Sequence, residues 1–254
     1  MNHLMNAPFA VFGISFVLLW LSAQIGALIH KRQSALNDGE REDFNTVLGA
    51  TLTLLGLIIG FSFSMAISRY DQRKNLEEEE ANAIGTEYVR LDLLSAADTA
   101  KLKPMLVHYL DLRLGFYRSS YGPGLDQINA QTATLQDQMW STLQPAAVST
   151  PTPIVGLVVS GMNDVLNSQG YTQAAWWNRI PPAAWGLMEV IAIFSNLLFG
   201  LGARGRRAQS MMLILPIIVS ISFLLIADID SPRGGIIRIV PRNLVALADS
   251  LHPH

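Results

Sequence analysis

The stretch from Asn45 to Ala81, NTVLGATLTLLGLIIGFSFSMAISRYDQRKNLEEEEA, constrains this chain more than any other. A membrane-length apolar run passes there without a break into a charged helical run. Thr46, Gly49, Thr53, Gly56, Gly60 and Ser64 fall three or four residues apart, so at helical spacing they form one stripe of small and hydroxyl side chains on an otherwise oily helix. Such a stripe must face protein or water. No Pro or Gly stands between Phe61 and Ile84, which predicts one long helix whose charged half leaves the apolar layer.

Three further apolar runs complete a four-span pattern. Pro8 to Ile29 has the length of about twenty residues that a bilayer core requires. Met1 to Ala7 lacks Lys and Arg and the run is too long for a signal peptide, so this span is expected to be retained. His30 to Phe44 reads as a short polar loop, followed by the second span, about Thr46 to Ser68. The third runs from about Pro182 to Gly202, and the fourth, after a loop at Arg204 to Ser210, from about Met211 to Ala227, where Pro216 is a candidate kink. Only 15% of the 254 residues are charged, against roughly 25% in an ordinary soluble domain, in keeping with a membrane protein.

Between the second and third spans lies a polar segment that reads as a helical bundle. Leu102, Leu106, Tyr109, Leu110, Arg113 and Phe116 recur at helical spacing within Asp98 to Ser119, as do Leu125, Ile128, Leu135, Met139 and Leu143 within Gly124 to Gln144. Gly122, Pro123 and Gly124 mark one break, and Pro145, Pro151 and Pro153 another, before an apolar segment at Ile154 to Leu166. The fold class is therefore an all-α membrane protein with four transmembrane helices and a helical extramembrane bundle inserted between spans two and three. Its domains are spans one and two over 1–68, the bundle over 69–181, spans three and four over 182–229, and a tail over 230–254 that packs on the bundle. In that tail, Ile236 to Val240 reads as extended and Asn243 to Leu251 as an amphipathic helix.

Candidate functional residues follow from charge and position. The run Glu77, Glu78, Glu79 and Glu80 reads as a solvated face in which Glu77 can pair with Arg73 or Lys74, or as an acidic surface that attracts cations, to which Glu87 is added. Glu189 lies within the third span, where a carboxylate needs a partner, a proton or a water-filled cavity, unless it reaches the interface from the second helical turn. Asp228 and Asp230, at the exit of span four, can cap a turn or pair with Arg233. Trp176, Trp177, Arg179 and Trp185 have the pattern of headgroup anchors.

Several classes are excluded. A net charge of −2 with scattered basic residues does not suit nucleic acid. There is no Cys, the five His residues show no ligand spacing, and no phosphate loop or nucleophile elbow is present, so no metal, cofactor or catalytic residue is expected. Sidedness is balanced. Lys31, Arg32, Arg41, Arg204, Arg206 and Arg207 lie on one side, and Arg69, Arg73, Lys74, Arg179, Arg233, Arg238 and Arg242 on the other.

Two stretches carry a family likeness. GFSFSMAISRYDQRKNLEEEEANAIG is similar to the helix of bestrophin channels in which a small-residue span runs into a Tyr- and Arg-bearing cytosolic helix. IADIDSPRGGI is similar to the acidic turn after their last span. With Glu80 to Ala83 as Glu-Ala-Asn-Ala and Asp228 to Pro232 as Asp-Ile-Asp-x-Pro, the chain most resembles the bacterial bestrophin-like membrane proteins of unknown function. The resemblance implies a multi-pass protein of the bacterial inner membrane and a homo-oligomer, a pentamer, conducting inorganic ions. Thr53, Gly56, Gly60 and Ser64 would then line a pore in the lipid bilayer, with Ile59 and Phe63 as an apolar constriction and the bundle as a vestibule. The face is mostly Gly, Ser and Thr where bestrophin necks carry bulky apolar residues, and the acidic exit is sparser than a calcium clasp. The other reading is a non-conducting scaffold or sensor whose stripe packs helices and whose bundle binds a partner.

Overall fold

Helix-start chemistry sets most of the element boundaries in the computed structural model, which describes residues 7–32, 38–203 and 212–251. The elements are α1 (Pro8–Arg32), α2 (Asp38–Arg90), a 3-10 turn (Leu91–Leu93), α3 (Ala96–Arg118), α4 (Pro123–Ser149), α5 (Pro153–Trp177), α6 (Pro182–Gly202), α7 (Ile214–Asp230) and α8 (Arg242–Leu251). No strand occurs among the described residues. The Ser95 hydroxyl accepts from the Asp98 N–H at 3.2 Å to cap α3, and the Thr152 hydroxyl accepts from the Val155 N–H at 3.2 Å to cap α5. Pro123, Pro153 and Pro182 occupy first-turn positions, where a missing N–H costs nothing. Gly122, before α4, has φ +147°, a conformation that L side chains rarely adopt.

α2 is 53 residues long, about 80 Å at 1.5 Å per residue. It begins at Asp38, so the polar residues 38–44, expected as loop, are helical. Pro145 does not end α4, which runs on to Ser149; the break falls at the Thr150 to Thr152 connection instead. Pro216 sits in the first turn of α7 as described, where no intrahelical N–H bond is due, and so causes no mid-span kink. The loop at Arg204 to Ser210 and the expected span start at Met211 lie outside the described residues.

Three helical stretches, Pro8–His30, Gly39–Leu93 and Pro153–Gly202, hold apolar windows long enough to cross a membrane. α7 has 17 described residues. The chain is a membrane protein, and its internal contacts divide it into two units: Met1–Arg69 with Arg179–Ile237, and Tyr70–Asn178 with Arg238–His254.

In the first unit α1 packs against α6 and α7. Its inward stripe, Val11, Ser15, Leu19, Ser22, Ala23 and Gly26, is buried at spacings of three and four. A Cβ at Gly200 would overlap the Ala23 carbonyl, and one at Gly26 would overlap that of Leu197, so the two glycines let the helix backbones meet. In the second unit α3 and α4 form the longest contact, α5 joins α4 and the 3-10 turn, and α8 lies on α3. Their core holds Ile84, Leu91, Leu102, Leu106, Tyr109, Leu110, Met139, Val158, Met162, Val165 and Leu244. Trp176, expected as a headgroup anchor, belongs to this core, with ring centroids 5.0 Å from Phe116 and 5.4 Å from Tyr117. Trp177 is exposed.

Overpacking the α1–α6 contact tests this arrangement. Gly200→Leu is expected to destabilise the protein by about 1–3 kcal/mol, whereas Gly13→Leu, at a glycine with open space around it, should leave thermal unfolding in detergent unchanged. Equal melting temperatures for the two variants would contradict the close approach.

Candidate functional site

The apolar half of α2 has three faces. Leu55, Ser62 and Ala66 are buried against the chain's own helices. Thr53, Gly56, Gly60 and Ser64 are exposed; their stripe is centred about 140° round the helix from the buried face, at 100° per residue. Leu54, Leu57, Phe61 and Met65 form a third, apolar and exposed face. A Cβ added at Gly49, Gly56 or Gly60 would meet nothing within 4 Å. Among the described residues, no side chain or helix of the same chain approaches these glycines, in contrast to Gly26 and Gly200. Ile59 is half-buried at the flank, and Phe63 is exposed. The Thr53 hydroxyl donates to the Gly49 carbonyl at 2.8 Å, which satisfies its proton and leaves its lone pairs outward.

The charged half of α2 departs from the solvated face expected of it. Glu78 and Glu79 are exposed, but Glu77, Glu80 and Glu87 are buried, at 1%, 0% and 0% exposure. The reason is periodicity: positions 77, 80, 84, 87 and 91 share one helix face, and Ile84 and Leu91 are core residues. The Glu77 carboxylate accepts from the Leu244 N–H at 2.9 Å and from Asn243 Nδ2 at 2.7 Å, and so caps the N-terminus of α8. Arg73 caps a C-terminus, donating to the carbonyls of Ala175 at 3.1 Å and Asn178 at 3.0 Å at the end of α5.

Glu80 is the hub. Its carboxylate accepts from Arg113 through Nε and, at 3.4 Å, through Nη2. It also accepts from the Tyr117 hydroxyl at 3.1 Å and the Thr172 hydroxyl at 3.2 Å. Burial pulls the Arg113 guanidinium pKa down, but Glu80, Tyr109 and Tyr117 together outweigh this and hold it above its ordinary value. Burial first, and the Glu80 charge second, push the Tyr109 and Tyr117 phenols above theirs. Glu87, about five turns beyond the apolar stretch of α2, has no hydrogen-bond donor at either oxygen. Burial pushes its carboxyl up to about 8, with Arg90 opposing and Asp164 adding to the rise.

The remaining acidic candidates hold turns and helices. Asp228 accepts from the N–H groups of Ile236 at 2.7 Å and Ile237 at 2.8 Å, closing the turn that follows α7. Asp230 accepts from the Ile180 N–H at 3.1 Å and pairs with Arg69 at 3.6 Å. Glu189 is half-buried and accepts from the Ser15 hydroxyl at 3.2 Å. Among the described residues no group of three or more His, Cys, Asp or Glu side chains is arranged to hold a metal ion.

A model of the bestrophin-like domain matches residues 16–244. The chain belongs to the bestrophin-like family. The solved structures it is similar to include a bacterial bestrophin homolog from Klebsiella pneumoniae, 16% identical, with a TM-score of 0.63 and 94% of each chain covered. A point mutant of that homolog is 14% identical, with a TM-score of 0.65 over 94% of this chain and 95% of the other. At this identity the likeness establishes the fold. A comparison with curated proteins finds no match.

In this bestrophin-like chain the residues missed by sequence reading are the partners of the buried carboxylates. Arg113 offered a signal, since a basic residue stood in the middle of the apolar stripe Leu102, Leu106, Tyr109, Leu110 and Phe116. A cation at a core position calls for a buried anion. Tyr117, Thr172 and Asn243 gave none, because their roles depend on how helices dock.

Removing one member of the Glu80–Arg113 pair leaves an uncompensated buried charge. Glu80→Gln is expected to cost roughly 3–5 kcal/mol, whereas the exposed Glu78→Gln should stay within about 0.5 kcal/mol. Chemical unfolding of the full chain in detergent checks this; similar midpoints for both variants would place Glu80 outside the core.

Proposed function

We propose that this bestrophin-like chain assembles into a homo-oligomeric ion channel, a pentamer, with Thr53, Gly56, Gly60 and Ser64 lining a shared axis. The observation that carries the reading is the open space at Gly49, Gly56 and Gly60. Small residues on membrane helices serve close helix packing, yet among the described residues no helix of the same chain uses these. Only 17% of the apolar window of α2 is buried within the chain, so lipid, water or further copies must cover the rest. A stripe of Gly, Ser and Thr suits water and other copies better than lipid, and the Leu54, Leu57, Phe61 and Met65 face suits apolar neighbours. Phe63 and Ile59, flanking the stripe, are the candidates for an apolar constriction that gates by dewetting.

In this reading α7 is the fourth span, the chain is a multi-pass protein of the bacterial inner membrane, and the unit containing α3, α4, α5 and α8 forms a vestibule. Glu78 and Glu79 supply its acidic surface, since Glu77, Glu80 and Glu87 are buried. The permeant species are inorganic ions, and no chemical step is assigned to the protein.

The alternative is a non-conducting scaffold whose extramembrane unit binds a partner. The exposure of Val148, Ile154, Leu157 and Tyr171 suits it. Mass measurement and electrical recording separate the two. The purified oligomer in planar bilayers is expected to give discrete currents, Gly60→Phe to abolish them without changing oligomer mass, and Ser64→Glu to shift selectivity towards cations. A folded oligomer that is silent, or currents unchanged by both substitutions, would favour the scaffold. A monomer or dimer by mass would end the axial-pore reading.

A further inference from the structure

Among the described residues, Glu87 alone has both carboxylate oxygens buried and without a hydrogen-bond donor. Glu77 and Glu80, about three and two turns earlier on the same face of α2, each receive bonds from other helices. The protein therefore satisfies two buried carboxylates and leaves the third bare. Its site is closed by α5. The carboxylate lies against Gly161, where an added Cβ would overlap it and come within 2.7 Å of Arg90 Nη1. The glycine thus makes room for the carboxyl group at the α2–α5 contact.

A charged carboxylate without donors is expensive to keep out of water, and a proton removes the larger, charge-borne part of that cost. We propose that Glu87 is a proton-binding site and that its proton latches the charged half of α2 against α5. Two charged groups act on it: Arg90, from its own helix, favours the ionised form, and Asp164, from α5, disfavours it. On the adjoining 3-10 turn, Asp92 is held by Lys103 at 2.7 Å. The latch is a property of the folded chain and stands whether or not the protein conducts.

The sign follows from linkage. The packed state keeps the proton up to about pH 8, whereas a state in which Glu87 meets water loses it at about pH 4.5. Between those limits the packed state binds more protons, so packing weakens as pH rises, by about tenfold per pH unit, and levels off above.

Amide hydrogen exchange over residues 155–168 reads this, in the full chain in detergent and corrected for the intrinsic pH dependence of exchange. Relative to Glu87→Gln, which mimics the protonated group, the wild type is expected to lose protection by about 100-fold between pH 5.5 and pH 7.5. Asp164→Asn should lower the pH at which the loss levels off, and Arg90→Gln should raise it. A purely structural Glu87 would not produce these opposite shifts. The proposal is overturned if wild type and Glu87→Gln follow the same pH profile, or if the level-off pH responds to neither neighbour. Should Glu87→Gln fail to fold, the opposite shifts in the other two variants decide.

Discussion

One buried ion pair ties the second unit together. Glu80 on α2 is reached by Arg113 and Tyr117 from α3 and by Thr172 from α5. Taking a carboxylate and a guanidinium out of water is costly, and the cost is offset only when the charges meet and the remaining lone pairs are bonded. Both oxygens of Glu80 are bonded, and Arg113 also lies 4.4 Å over the Phe116 ring. That arrangement forms in only one docking of the three helices. The pair therefore serves specificity at least as much as strength, because an alternative packing would strand a charge.

The same principle recurs at the helix ends. Glu77 caps α8, Arg73 closes the end of α5, Asp228 holds the turn after α7, and Asp230 holds the Ile180 backbone. Each charge meets backbone groups of the opposite partial charge, N–H groups for the carboxylates and carbonyls for the guanidinium. Arg73, Glu77 and Glu80 on α2, and Asp228 and Asp230 at the exit of α7, therefore serve architecture. Glu78 and Glu79 remain exposed.

α2 belongs to both units and behaves differently in each. In its charged half, Glu77, Glu80, Ile84 and Glu87 make a buried face that Leu91 of the 3-10 turn continues. In its apolar half only Leu55, Ser62 and Ala66 are buried, and the stripe containing Gly56 and Gly60 has open space beside it. A helix that is oily and yet mostly uncovered by its own chain is incomplete as a packed element. In a bilayer that surface is covered by lipid, by water or by further copies of the chain, and its Gly, Ser and Thr stripe is what separates these choices.

Much of this was legible in the sequence. The uninterrupted run from Phe61 to Ile84 determined that the apolar and charged segments share one helix. The 3.6-residue period determined which residues of α3 and α4 share a face, and Gly122–Pro123 determined where the two part. The sequence alone also determined that Thr53, Gly56, Gly60 and Ser64 form a stripe. Only the tertiary structure decided what each face meets. It separated Glu77, Glu80 and Glu87 from Glu78 and Glu79, moved Trp176 into the core, and turned the glycine stripe away from α1, α6 and α7. The reason is that helical spacing fixes which side chains stand together, whereas burial depends on which other helix docks there, and that is set by partners such as Arg113 and Gly161 far away in sequence.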